Sequence, residues 1–67
     1  DQIAFVSEDS NPISEILFYA LDGKVVRTEA NINATNVVIS NLDLPKGIYF
    51  ANLRFKGANT VKKIVIQ

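Results

Sequence analysis

The chain has 67 residues with seven basic and seven acidic side chains, so its formal net charge is zero. A neutral chain argues against a strongly electrostatic partner such as nucleic acid. No apolar run approaches the ~20 residues needed to span a bilayer, so we do not expect insertion into a membrane either. The absence of cysteine and histidine removes disulfides and the usual zinc ligands as means of stabilising a small fold. We therefore expect a single domain, residues 1–67, with a thin hydrophobic core, no metal and no cofactor.

Short runs of Val, Ile, Phe and Tyr alternate along the chain with clusters of Gly, Pro, Asn and Asp. This pattern is typical of strands joined by turns, and no segment keeps a helical period. The runs predict six strands, at residues 2–6, 13–21, 24–30, 37–40, 48–55 and 60–67. The predicted fold class is all-β, a small antiparallel immunoglobulin-like β-sandwich of six to seven short strands, with a small open barrel as the alternative.

The second predicted strand is apolar on both faces. Ile16 and Phe18 point to one side and Leu17 and Tyr19 to the other, which favours a central position in the sheet. The pair Asp22 and Gly23 follows. Because both residue types tolerate positive φ, we predict a two-residue type I′ hairpin turn there.

A turn between the fourth and fifth predicted strands contains Pro45, which fixes φ, and Gly47, which permits an unusual backbone angle. The fifth predicted strand then alternates, and its candidate core face consists of Tyr49, Ala51, Leu53 and Phe55. Residues 56–59 are predicted to close a hairpin into the last strand. In that strand Lys62, Ile64 and Ile66 share one face, while Val61, Lys63 and Val65 share the other.

Residues suited to catalysis are scarce. The sequence has no histidine to act as a general base, no cysteine nucleophile, no Gly-rich phosphate loop and no cluster of metal ligands. The acidic residues fall mostly in predicted turns or at alternating polar positions, where a solvated carboxylate is the usual role. We predict that the chain is not an enzyme.

Three segments carry a resemblance to a known family. Residues 19–26 read Tyr-Ala-Leu-Asp-Gly-Lys-Val-Val, residues 44–50 read Leu-Pro-Lys-Gly-Ile-Tyr-Phe, and residues 62–67 read Lys-Lys-Ile-Val-Ile-Gln. In order and spacing they resemble the C-terminal sorting domains, type A, of the type IX secretion system, also called the Por secretion system. The resemblance covers residues 13–67.

The sequence departs from that family in two places. Ala20 stands where the family usually has an aspartate, and the family's opening Asn-Pro segment is missing. We therefore expect a fragment of a larger cargo protein that begins just after this segment. The loss would leave a strand edge unpaired, and we expect homodimer formation through exposed strand edges.

The resemblance implies a secretion signal in a bacterium of the Bacteroidetes type. It implies that the outer-membrane translocon of the type IX system recognises the domain, and that a sortase-like peptidase removes it by cleaving outside these residues. The cargo would pass through the periplasm and end at the cell surface or in the extracellular space.

Recognition would then act on a surface, through main-chain hydrogen bonds from an added strand and through charge. Asp22 and Gly23 are assigned to turn formation. The residues that we expect to contact the partner lie in the proline turn and the last strand: Pro45, Lys46, Gly47, Tyr49, Lys62, Lys63, Ile64, Val65, Ile66 and Gln67.

Two other readings compete with secretion. One is a generic extracellular β-sandwich module for adhesion, spacing or carbohydrate binding, and the other is an inert structural domain. Sugar binding usually needs exposed aromatic platforms, whereas the chain has no Trp and its Phe and Tyr residues lie mostly on predicted core faces.

Overall fold

A computed structural model describes residues 2–67, and within that range the chain forms six β-strands and no helix. The predicted strands are confirmed, with each boundary within two residues of its expected place. None of the described residues belongs to a helix that could cross a membrane. In chain order the strands are β1 (Gln2–Val6), β2 (Ile13–Ala20), β3 (Val25–Glu29), β4 (Asn36–Ser40), β5 (Gly47–Phe55) and β6 (Ala58–Ile66).

The strands form two separate antiparallel sheets. The larger sheet has the order β3-β2-β5-β6, and the smaller one pairs β1 with β4. This arrangement confirms a β-sandwich rather than a barrel. It also places β2 inside the larger sheet, as its two apolar faces predicted.

The hydrophobic core lies between the sheets. Phe5 of the smaller sheet packs against Phe18 of the larger one, with ring centroids 6.2 Å apart and the rings tilted by 59°. Of the predicted core face of β5, Tyr49, Ala51 and Leu53 are buried, while Phe55 at the end of the strand is half-buried and packs against the core. Burial of each large apolar side chain contributes about 1.5–3 kcal/mol, and this chain has few such residues to bury.

The turn between β2 and β3 differs from the predicted type I′ turn. Gly23 has a φ of 87°, but Asp22 is not among the described residues with positive φ. The amide of Gly23 donates to the carbonyl of Ala20 and the amide of Ala20 donates to that of Lys24, each at 2.9 Å, so the loop has three residues. A bulge in β3 absorbs the extra residue, because Phe18 pairs with Arg27 while Tyr19 already pairs with Val25.

The hairpin between β5 and β6 is tighter than expected. Phe55 pairs with Ala58, which leaves only Lys56 and Gly57 in the loop, and Gly57 has a φ of 79°. The prediction of a four-residue loop at residues 56–59 is therefore wrong. The glycine at the second loop position lets β6 begin two residues earlier.

The connection from β3 to β4 carries the chain from one sheet to the other. Residues after β3 continue beside β2, where Ile32 donates to the carbonyl of Ser14 and Ala34 bridges Ile13. Asn31 and Asn33 have φ values of 58° and 52°. Asparagine tolerates this left-handed conformation, which lets the backbone bend toward the smaller sheet.

Candidate recognition surface

The predicted contact residues lie mainly on one hairpin. Strands β5 and β6 pair over nine positions, from Gly47 opposite Ile66 to Phe55 opposite Ala58. β6 bonds only to β5, so it forms one edge of the larger sheet. An unpaired edge presents backbone donors and acceptors to which another strand can add.

The two faces of β6 differ in exposure. Ile64 lies opposite Tyr49 and is buried with it, so a partner can reach either residue only through the backbone. On the outer face Val61 and Val65 are 58% and 55% exposed. The expected contact residues on β6 therefore include buried and exposed side chains, and a partner can contact only the exposed ones directly.

The two lysines of β6 point to opposite faces. Lys62 pairs with the fully buried Ala51 and lies on the inner face, while Lys63 pairs with Phe50 on the outer face. Both side chains remain exposed because β6 is at the edge. The strand thus carries positive charge on both sides.

The proline turn is closed by a hydrogen bond from the following strand. The hydroxyl of Tyr49 donates to the carbonyl of Pro45 at 2.6 Å. Gly47 lies inside this closed segment with a φ of 152°, a conformation that L side chains rarely adopt. A Cβ on Gly47 would find its nearest neighbour, a ring carbon of Tyr49, at an ordinary 3.8 Å, so the backbone angle rather than space requires glycine.

The loop before this turn was missed as part of the core. Leu42 is only 5% exposed, and its neighbours Asn41 and Asp43 both have a φ of 54°. Arg27 of β3 holds the loop by donating to the carbonyl of Asn41 at 2.8 Å, while its Nε donates to Glu29 at 2.7 Å. The alternation of leucines with residues that tolerate positive φ was the available signal, but the sequence analysis predicted only a turn over residues 41–47.

The three segments that carry the resemblance meet at one end of the sandwich. Ala20, just before the β2–β3 turn, pairs with Tyr49, and Gly47 pairs with Ile66. Gln2 and Gln67 line the same open depression of about 370 Å³ with Leu42. We call this the terminal end of the sandwich, and it contains Asp22, Gly23, Pro45, Lys46, Gly47 and Gln67.

The chemistry available on the described residues is that of hydrogen bonding, apolar contact and charge. Residues 2–67 contain no group of three or more acidic, His or Cys side chains arranged to hold a metal ion. The fully buried residues among them are apolar apart from the bonded hydroxyl of Tyr49, and the half-buried Asn52 has a buried side-chain oxygen with no hydrogen-bond partner in the described part of the chain. The described residues thus form a small β-sandwich with an open edge strand beside a turn that a hydrogen bond closes.

A family model described as a secretion system C-terminal sorting domain matches residues 1–67. The chain therefore belongs to the family of C-terminal sorting domains of the type IX secretion system. Domains of this family are sorting signals rather than catalysts, and they direct export to the cell surface or the extracellular space. Searches of curated proteins and of solved structures gave no match.

Proposed function

We propose that this domain is recognised by the outer-membrane translocon of the type IX system, and that its edge strand β6 and the turn at residues 45–47 form the contact surface. It would act as the C-terminal part of a larger cargo protein in transit through the periplasm. A sortase-like peptidase then separates it from the cargo at a site outside residues 1–67. The observation that carries the proposal is the adjacency of Gly47 and Ile66, which joins turn and strand into one surface.

Three features support recognition of the domain through its shape, its backbone hydrogen bonds and its charge. The unpaired edge of β6 offers backbone groups to an added strand. The bond from Tyr49 to Pro45 fixes the turn beside that edge, so the surface exists before binding and less conformational entropy is lost on contact. The same surface carries three exposed lysines, Lys46, Lys62 and Lys63. Their positive charge would orient the partner as it approaches.

The direct test is secretion of a reporter. Residues 1–67 are fused to the C-terminus of a reporter that reaches the periplasm of a bacterium with type IX machinery. We expect the fusion to reach the surface or the medium, and we expect a fusion that lacks residues 62–67 to stay in the periplasm. Secretion that is unaffected by this deletion would falsify the role of the terminal strand.

The deletion also removes the buried Ile64, so a variant that keeps the fold is needed. The double substitution Lys62→Glu and Lys63→Glu changes two exposed side chains and leaves the core intact. Its matched control is Lys24→Glu with Lys56→Glu, which changes the net charge equally at exposed positions outside the proposed surface. We expect the first pair to impair secretion and the second to leave it unchanged, with folding of both checked by circular dichroism.

A further inference from the structure

An open groove runs between β1 and β6, and we call it the β1–β6 groove. β1 bonds only to β4, and β4 lies toward β3, where Arg27 holds the carbonyl of Asn41. The free edges of β1 and β6 are therefore on the same side of the sandwich. Three consecutive depressions of about 220, 370 and 370 Å³ follow this side, from Val6 and Thr60 at one end to Gln2 and Gln67 at the terminal end.

The floor of the groove is apolar. Phe5, Leu53 and Ile64 are 6%, 2% and 6% exposed and line its middle part. Along β6 the inward residues Lys62, Ile64 and Ile66 follow one another at about 7 Å, twice the rise per residue of a strand. Side chains of an added strand repeat at the same distance, so every second one can enter the groove.

Charge varies along the groove. The middle depression is lined by Lys62 and Lys63 and by no acidic residue. The depression at Val6 is lined by Glu8 and Asp9 as well as by Lys62, so Lys62 lies at the boundary between the basic middle and the acidic end. The amide of Asn11 and the hydroxyl of Ser7 donate to Asp9 and hold the pKa of its carboxyl below the usual range, so this end stays negative at neutral pH.

We infer that the groove binds an extended segment of a partner protein that alternates apolar side chains and places one acidic side chain opposite Lys62. This inference rests on the proposed function and names the chemistry of the segment that the terminal strand selects. Backbone bonds to the edge of β6 supply affinity, the apolar floor takes alternate side chains, and Lys62 pairs with the carboxylate. Glu8 and Asp9 repel further acidic residues and so limit the segment to one acidic side chain near Lys62.

A second copy of this chain fits the groove less well. Antiparallel pairing of β6 with β6 places the lysines of one copy among those of the other, and like charges on facing strands are destabilising. Lysine on an edge strand is a common means of preventing such pairing. The charge of the groove therefore favours a partner of opposite sign.

The inference is tested with two synthetic peptides and the isotope-labelled 67-residue chain. Each peptide has nine residues with valine at odd and threonine at even positions, and its central valine is replaced by glutamate in one peptide and by lysine in the other, so that the charged side chain shares a face with the remaining valines. We expect the glutamate peptide to shift backbone amide resonances of residues 3–6 and 60–66. It should bind roughly three- to tenfold more tightly than the lysine peptide, because an attractive exposed pair is replaced by a repulsive one.

Variants assign the preference to one side chain. Lys62→Glu should reverse the order of the two peptides, whereas Lys56→Glu, with the same change in net charge, should keep it. The inference is overturned if neither peptide binds, if shifts concentrate on the edges of β3 or β4, or if Lys63→Glu reverses the order while Lys62→Glu does not.

The secretion assay separates this inference from the proposed function. Normal secretion of a Lys62→Glu fusion, together with retention of the fusion lacking residues 62–67, would reject the acidic segment and keep the terminal strand as the signal. Normal secretion of both fusions would reject both.

Discussion

At the scale of single residues, Tyr49 has two roles that require different parts of its side chain. Its ring is buried opposite Ile64, and its hydroxyl donates to the carbonyl of Pro45 at 2.6 Å. The hydroxyl thus joins the loop to the hairpin that follows it. This explains in physical terms why a tyrosine rather than a phenylalanine suits the position two residues after Gly47.

Tyr49→Phe should therefore lower the free energy of unfolding by about 1 kcal/mol, because the carbonyl of Pro45 loses its donor while the ring stays packed. Urea unfolding followed by circular dichroism measures the change. Tyr19→Phe is the matched control, since no hydrogen bond of the Tyr19 hydroxyl is found within residues 2–67, and its effect should be much smaller. Equal effects from both substitutions would contradict this role for the hydroxyl.

At the scale of elements, the turn at residues 45–47 and the hairpin depend on each other. Gly47 is the last residue of the turn and the first of β5, and it pairs with Ile66 at the end of β6. Its φ of 152° determines the direction in which the chain enters the strand. A change at this position therefore acts on the turn and on the strand end together.

Gly47→Ala should destabilise the domain by about 1–3 kcal/mol, the usual cost of forcing a non-glycine residue into such a conformation. The exposed neighbour Lys46 provides the control, and Lys46→Ala should change stability by no more than about 0.5 kcal/mol. Thermal unfolding measures both. An alanine at position 47 that leaves stability unchanged would show that the backbone angle can relax without cost.

Strands were easier to predict from the sequence than the connections between them. The alternation from Tyr49 to Phe55 identified the core face because side chains of a strand change sides at every residue. Turn geometry depends on loop length as well as residue type, and Asp22-Gly23 fits a two-residue and a three-residue loop equally well. The burial of Leu42 depends on a distant partner, since the loop is held by Arg27 from another strand, and no local pattern contains that contact.

The candidate surface was predictable only in part. The family resemblance singled out three segments, and the register of β5 and β6 shows that two of them adjoin, while their contact with a partner is still a prediction. The groove beside β6 could not be foreseen, because it depends on how β1 sits across from β6 in the folded sandwich. The alternation along the last strand already placed Lys62 and Lys63 on opposite faces, but only the folded sandwich shows which of these faces borders the groove.

At the scale of the whole molecule, the sandwich leaves several strand edges unpaired, and they differ in charge. β6 carries two lysines, whereas β4 has no charged residue and exposes 60% of Val38. Uncharged apolar edges are the ones that tend to pair with other chains. The expected homodimer, which is still a prediction, should therefore form through the smaller sheet.

Light scattering over a wide range of concentration should show a dimer fraction that rises with concentration. Val38→Lys should reduce this fraction because it places like charges on facing β4 strands. Val61→Lys, an equally exposed valine on β6, should leave the fraction unchanged. A chain that is strictly monomeric at every concentration would remove the prediction.

The position of Gln2 and Gln67 at the same end of the sandwich has a mechanical consequence. A pull applied between these two residues would open the hairpin of β5 and β6 from Ile66 onward, one residue pair at a time. Peeling of this kind needs far less force than sliding two strands past each other, where all the bonds resist together. Tension between the two ends is therefore expected to separate β6 from β5 at low force, beginning at the pair of Gly47 and Ile66.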